Sequence, residues 1–248
     1  MKKLVAYITT GIPDKNFTND LISSLVENGT DKIELGVPFS DPVADGEVIE
    51  KANYLALEKK INLNDVLEVT RTAKERHNNL DIFLMGYFNS FYSFGLKKLI
   101  TKSEEFNSAG FIIPDLPFEE SNKYFKNLNK ELSIIPFVAP TDSRERIENI
   151  LSKTEKNSNN FIYLVAYTGI TGANHEQEDL SKTIANIREF SNIPVYIGFG
   201  VNEKTAQEKA EYLGKMYAQG GQHYEGIFKD KKGKIQSIDV EDLGDLQG

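Results

Sequence analysis

Short runs of apolar and β-branched residues alternate along the chain with longer segments of helical period. The strand candidates are Leu4–Thr9, Lys32–Val37, Ile82–Met85, Gly110–Ile113, Ile134–Val138, Phe161–Ala166 and Val195–Gly198. Most are continuous apolar runs rather than strict alternations. Strands covered on both faces read this way, because both sets of side chains leave water. Between them, Phe17, Leu21, Ile22, Leu25 and Val26 form one helical stripe, and Gly29 closes that helix at its C′ position. Ile147, Ile150 and Leu151 form another, with Asp142 expected as the N-cap and Glu145 completing a capping box. A long helical stretch from about Val48 to His77 is expected to break into two helices near Asn62-Leu63-Asn64.

Strand, helix, strand, repeated with short turns, implies parallel pairing through right-handed crossovers. Seven such strands predict an α/β fold, a (β/α)8 TIM barrel, with a doubly wound open sheet as the alternative. No linker, low-complexity segment or repeat interrupts the rhythm, so residues 1–248 read as a single barrel domain. Residues 214–248 depart from it, being polar and Gly-rich. The best eighth strand there is only Gly226-Ile227-Phe228, so that strand is expected to be atypical or incomplete. Ile227-Phe228 and Ile235–Ile238 read better as a small hairpin around Asp230-Lys231-Lys232-Gly233-Lys234. The acidic stretch 239–245 is expected to fray.

Composition narrows the function classes. The 248 residues are 40% hydrophobic and 27% charged, which suits a soluble globular chain and excludes disorder. The formal charge, 29 − 37 = −8, argues against a general grip on nucleic acid and leaves room for one local phosphate pocket. Cysteine is absent, which removes disulfides, thiolate metal sites and a cysteine nucleophile, and fits the cytoplasm. No apolar run reaches the roughly 18 residues of a membrane span. The basic tip and short apolar run of Met1 to Ile8 read as a first strand rather than a signal peptide, because Thr9-Thr10-Gly11 and a proline cut the run off.

A barrel gathers its chemistry at the C-terminal ends of its strands. The second strand carries Glu34 within an apolar run, and the loop after it carries Asp41 and Asp45. A carboxyl pointing into a barrel mouth is desolvated, its pKa rises, and it can give and take protons near neutrality. One strand carboxylate and one loop carboxylate suit acid–base work with divided roles. The structural alternative is a buried Glu34 satisfied by backbone or a tyrosine hydroxyl, with Asp45 capping the next helix. The sixth strand ends in Tyr163-Leu164-Val165-Ala166-Tyr167-Thr168-Gly169-Ile170-Thr171-Gly172-Ala173, a loop of lid type. The seventh ends in Gly198-Phe199-Gly200, whose backbone N–H groups could meet a phosphate. The fourth ends in Pro114-Asp115-Leu116-Pro117-Phe118-Glu119-Glu120, either a turn before a helix with acids in its first turn or a partner contact. His77, His175 and His223 have no metal-ligand spacing, so no metal is expected. Phe88, Phe91, Tyr92 and Phe94 are core, or a pocket wall suited to a flat apolar ligand.

Read together, YITTGIP (Tyr7–Pro13), ELGVPFSDPVADG (Glu34–Gly46), MGYFN (Met85–Asn89), PDLPFE (Pro114–Glu119), APT (Ala139–Thr141), TGITGA (Thr168–Ala173) and GFGV (Gly198–Val201) resemble the tryptophan synthase α chain family. The resemblance runs from residue 1 to about 210 and is most specific in the segment from Glu34 to Gly46. It implies cleavage of indole-3-glycerol phosphate to indole and glyceraldehyde 3-phosphate, with no cofactor on this chain. It implies Glu34 as the catalytic glutamate and Asp45 as the aspartate that stabilises charge on the indole nitrogen. It places Tyr163 near the reacting hydroxyl and Thr171 in the lid, with Gly172, Gly198 and Gly200 at the substrate and its phosphate. It also implies a β chain partner in an α2β2 heterotetramer. That partner carries pyridoxal phosphate and is fed with indole through a tunnel, and the loops at Ser40–Asp45 and Pro114–Phe118 face it.

The chain departs from the family in three places. Glu47 stands where proline is usual, and Ala166-Tyr167 stands where Ser-Arg is common. After Leu213 nothing matches the family's Asp-Gly-Val-Ile-Val-Gly-Ser-like eighth strand. Losing two or three N–H contacts to a dianion, at roughly 1.5–3 kcal/mol each, weakens binding about a thousandfold or more. This supports a second reading, a catalytically weak or inactive subunit that binds and tunes the β chain. A third reading, another phosphate-sugar barrel such as an epimerase, lacks metal-site histidines and a lysine at a strand end.

Overall fold

The computed structural model describes residues 3–125, 128, 131–154, 159–165 and 173–198. They fall into two compact units, 3–134 and 135–198.

The first unit opens with β1 (Val5–Thr9), α1 (Lys15–Glu27) and β2 (Lys32–Gly36). Asp14 caps α1 by accepting from the Phe17 N–H at 2.9 Å, and Gly29 beyond its end has φ +97°, the left-handed stop the sequence predicts. The expected long helical stretch is two helices, α2 (Glu47–Glu58) and α3 (Leu63–Arg76). The break is chemical. The Asn62 side chain accepts from the Asn64 N–H at 3.0 Å, while Asp65 reaches back to the Asn62 N–H at 2.9 Å. Glu47 is the first residue of α2, a position where either a proline or an acid is favourable.

The unit continues through β3 (Asp81–Met85), α4 (Phe88–Phe94), α5 (Leu96–Glu105), β4 (Gly110–Ile112), α6 (Phe118–Tyr124) and β5 (Ser133–Ile134). Its five strands lie parallel in chain order. Side chains alternate across a strand, so Ile33 and Leu35 share one face and Glu34 and Gly36 the other. Ile33, Leu35, Ile82 and Leu84 belong to a core with Ile22 of α1 and Val66 of α3. Lys32 is buried too, yet paired. Its ammonium bonds Asp81, its partner in the β2–β3 register, and lies 5.6 Å from the Phe83 ring centroid.

The second unit holds β6 (Phe137–Val138), α7 (Arg144–Lys153), β7 (Ile162–Val165), α8 (Ala173–Phe190) and β8 (Val195–Gly198). Its three strands are parallel, in the order β6-β7-β8. Two expectations need correction. The single strand expected at Ile134–Val138 is split, with β5 pairing with β4 and β6 with β7. Pro136 sits at the break and has no N–H for a continuous ladder, while its carbonyl accepts from the Tyr163 N–H at 2.9 Å. The N-cap of α7 is Ser143, which accepts from the Arg146 N–H at 3.1 Å. Asp142 is occupied one residue earlier, accepting from the Ala139 N–H at 2.8 Å and pairing with Arg146. Because one expected strand counts as two here, β8 is the expected seventh strand. The expected eighth strand, the lid residues Thr171 and Gly172, Gly200 and the segment 214–248 lie outside the described residues.

Candidate active site

Glu34 sits in the middle of β2, 4% exposed, with Tyr7 of β1 as its register partner on one side and Phe83 of β3 on the other. The sequence expectation of a carboxylate buried in an apolar strand is met. Two residues on, Gly36 makes room for Tyr7. A Cβ at position 36 would lie 2.4 Å from the Tyr7 hydroxyl and 2.7 Å from ring Cζ. Thr9 donates to that hydroxyl at 3.4 Å. Burial pushes the Tyr7 phenol above its ordinary pKa, the Thr9 bond opposes this, and the charges of Asp45 and Glu34 add to it. Tyr7 is therefore a protonated donor within electrostatic reach of both carboxylates.

The loop between β2 and α2 is tied at both ends. At its start the Phe39 N–H donates to Asn53 of α2 at 3.3 Å, and the Phe39 ring stacks on Tyr87 with centroids 5.1 Å apart. At its end the Tyr87 hydroxyl accepts from the Ala44 N–H and donates to Asp45, both at 2.9 Å. The Asp45 N–H turns back to the Pro42 carbonyl at 3.1 Å. The helix-cap alternative for Asp45 is not what forms, because Gly46 is the N-cap of α2 and the Asp45 carboxylate faces Tyr87 instead. Partial burial raises the Asp45 pKa above the ordinary carboxylate value, and the Tyr87 bond pulls it part of the way back. Burial likewise raises the Tyr87 phenol, which stays a donor. Asp41 is exposed and accepts from its neighbour Ser40.

Asp45, Tyr7, Tyr87 and Asn53 line one cleft together with Val37, Met85, Gly86 and Pro114. Four polar side chains therefore share this lining with four apolar or glycine positions. The Phe88 N–H donates to Asp115 at 2.8 Å, joining the starts of α4 and of the Pro114 loop. Phe91 is core, whereas Tyr92 is 59% exposed beside Tyr124. Glu119 and Glu120 stand in the first turn of α6, as the turn-before-helix reading expects.

In the second unit Tyr163 on β7 is buried against Gly198 of β8. A Cβ at position 198 would lie 2.0–2.2 Å from the ring and hydroxyl of Tyr163. Phe137 packs on the same ring with centroids 5.0 Å apart. The structure thus brings Glu34 and Asp45 around Tyr7 in one unit, and Tyr163 and Gly198 together in the other. Sequence reasoning assigned no role to Tyr7, Tyr87 or Asn53. Asn53 had a legible signal, since it sits with Ala52 and Ala56 on the buried stripe of α2. Among the described residues no cluster of three or more His, Asp or Glu could hold a metal ion, and no helix is long and apolar enough to cross a membrane.

A family model for the tryptophan synthase α chain matches residues 1–236. The chain belongs to that family. A tryptophan synthase α chain of Wolinella succinogenes is 48% identical over 213 residues, spanning 85% of this chain and 80% of the relative. One from Aquifex aeolicus is 37% identical over 251 residues, spanning 99% and 90%. The solved tryptophan synthase subunit α of Campylobacter jejuni superposes with a TM-score of 0.74 at 30% identity, covering 85% of this chain and 83% of that one. The fold class is accordingly the α/β, (β/α)8 barrel class of the tryptophan synthase α chain family, and the parallel strands of both units agree with it. Within that family frame the most specific sequence segment runs from Glu34 in β2 through the tied loop with Asp45 to Gly46, the N-cap of α2.

Proposed function

We propose that the chain is the lyase subunit of tryptophan synthase, cleaving indole-3-glycerol phosphate to indole and glyceraldehyde 3-phosphate. The observation that carries this reading is the cleft in which Tyr87 holds the Asp45 carboxylate on a tied loop, beside Tyr7, which abuts the buried Glu34. The reaction needs a proton delivered to indole C3, a proton removed from the glycerol hydroxyl next to the bond that breaks, and a negative charge near the ring nitrogen. Glu34 serves the two proton transfers, one after the other. Protonation at C3 makes the ring nitrogen cationic, and ionised Asp45 stabilises that cation. The C–C bond then breaks, its electrons restore the aromatic ring, and the deprotonated oxygen becomes the aldehyde.

Tyr163 belongs beside the reacting hydroxyl, with Gly198 giving it space. In this reading Thr171 is the lid threonine, and Gly172 and Gly200 are the phosphate-binding glycines. The chain works in the cytoplasm as one barrel domain over residues 1–248, in an α2β2 assembly with a β chain. Pyridoxal phosphate serves the β chain's chemistry, and this chain's step uses no cofactor.

The second reading, a weak or inactive subunit that tunes the β chain, is favoured by one feature, the missing Gly-Ser run after Leu213. Indole release from indole-3-glycerol phosphate, with and without a β chain and with substrate titrated into the millimolar range, separates the two. Turnover raised by the partner supports the lyase. A normal maximal rate with a very high KM places the defect at the phosphate. No turnover in the folded complex leaves only the tuning role.

A further inference from the structure

Asn53 is an unusual residue for its place. It lies in the second turn of α2, 2% exposed, on a stripe otherwise built from alanine. Asparagine is a poor interior helix residue, and a buried amide costs free energy unless it is bonded. Its partner is not on the helix but on the loop, the Phe39 N–H at 3.3 Å. An N–H can only donate, so Oδ1 faces Phe39 and Nδ2 is turned away from it. From Phe39 the contacts form a circuit. The Phe39 ring stacks on Tyr87, and the Tyr87 hydroxyl fixes Ala44 and Asp45. Asn53 itself lines the cleft that Asp45 and Tyr87 line.

We infer that Asn53 is a positioning residue for Asp45, acting through Phe39 and Tyr87 to hold the loop carboxylate in the cleft before substrate arrives. The inference rests on the lyase reading for the purpose that this positioning serves. The contact circuit stands independently of it. A carboxylate on a loop loses aim unless the loop is fixed at more than one point, and misplacement by an ångström is costly to catalysis. Here one end is fixed by an amide and the other by a phenol, and Phe39 couples them.

The ionisable groups on the elements around Asp45 are the Tyr7 and Tyr87 phenols in the cleft, Glu34 on β2, Asp41 on the same loop, Glu47 and Glu50 at the head of α2, and Asp115 after β4. All of these are acids; of the lysines on the same elements, Lys32 on β2 is bonded to Asp81 and Lys51 on α2 is exposed. Donation from Tyr87 is therefore the main local support for the ionised form, and loosening the loop weakens it.

The test is a double-mutant cycle of Asn53→Ala and Tyr87→Phe. It is read by carbon-13 titration of the Asp45 carboxyl, assigned with Asp45→Asn, and by the pH profile of indole release. Asn53→Ala should move the Asp45 titration to higher pH, carry the acid limb of kcat/KM with it, and lower kcat about tenfold with little change in KM. In the Tyr87→Phe background it should add less than about twofold. If Asn53→Ala does not fold, Asn53→Ser takes its place in the same cycle. An Asp45 titration unmoved by Asn53→Ala, or moved as much without the Tyr87 hydroxyl as with it, overturns the inference. A titration that moves as expected while the rate ignores it leaves the positioning intact and removes Asp45 from the catalytic step.

Discussion

Each sheet contains a tyrosine that leans over a glycine. In the first unit Tyr7 of β1 covers Gly36, two residues beyond its register partner Glu34. In the second, Tyr163 of β7 covers Gly198, two residues beyond its register partner Tyr196. The packing device is the same, because a ring lying along a parallel sheet needs a missing side chain on the neighbouring strand. The surroundings differ. Tyr7 has the carboxylates of Glu34 and Asp45 in electrostatic reach, and its phenol is driven up. Tyr163 is packed by Phe137 and Phe161, with ring centroids 5.0 and 6.2 Å away. One device therefore builds an acid-bearing wall in one sheet and an aromatic wall in the other, and the residues beside the tyrosine, in the first sheet its paired Glu34, decide which.

The largest effect expected from breaking this comparison is at that paired residue. Glu34→Gln keeps the shape and removes the proton carrier. General acid–base catalysis contributes about 10²–10⁴-fold, so kcat for indole release should fall by that much. The urea midpoint should hold or rise, because a buried carboxyl is replaced by an amide of the same size. A Glu34→Gln chain that cleaves substrate within threefold of the parent rate would sink the assignment of Glu34 as the proton carrier.

The next largest effect is steric. Overpacking costs about 1–3 kcal/mol, and Gly36→Ala and Gly198→Ala should each destabilise in that range by urea unfolding. The two sites should then part company. At position 36 the closest clash is with the Tyr7 hydroxyl, so Tyr7→Phe removes the worst contact, and the Gly36→Ala/Tyr7→Phe pair should recover about 0.5–3 kcal/mol relative to additivity. At position 198 ring atoms Cε1 and Cζ clash at least as badly as the hydroxyl, so Tyr163→Phe should rescue less than Tyr163→Leu. Equal rescue by phenylalanine at both sites would mean that the two walls are not built as described.

The same contrast between local and distant determinants marks what the sequence could convey. Continuous apolar runs announced β1, β2, β3, β7 and β8, and Asn62 announced the break between α2 and α3, because each signal lies within a few adjacent residues. The expected strand at 134–138 failed at Pro136, where the missing N–H matters only once a neighbouring ladder exists to be interrupted. The α7 cap shifted from Asp142 to Ser143 because the Ala139 N–H and Arg146 compete for the aspartate. At the candidate site Glu34 and Asp45 were legible as residue types in a specific segment. What holds Asp45 was not, since Tyr87 lies 42 residues further along and its hydroxyl reaches the loop only after β2 and β3 have paired. Asn53 carried only a weak signal, a polar residue among alanines, which went unread because its partner Phe39 lies back across a turn of the chain.

The smallest effect tests that distant partner. Burial raises the Asp45 pKa and Tyr87 lowers it, and the carboxylate must be ionised to stabilise a cation. The kcat/KM profile should therefore fall on the acid side through an Asp45 limb that lies above the ordinary carboxylate value. Tyr87→Phe removes a donor to the charged form, so the limb should move to higher pH. Well above it, the rate should drop only about two- to tenfold, the net worth of one hydrogen bond. Stability should run the other way. The folded chain holds the Asp45 proton more tightly than the unfolded chain does, so this residue's contribution to stability falls as pH rises from the unfolded carboxylate pKa through the folded one. In that window activity climbs while the Asp45 share of stability declines, and Asp45→Asn should abolish both slopes. A Tyr87→Phe limb that moves to lower pH would show that Tyr87 supports the protonated acid instead, and the tied loop would then have to serve proton donation rather than charge stabilisation.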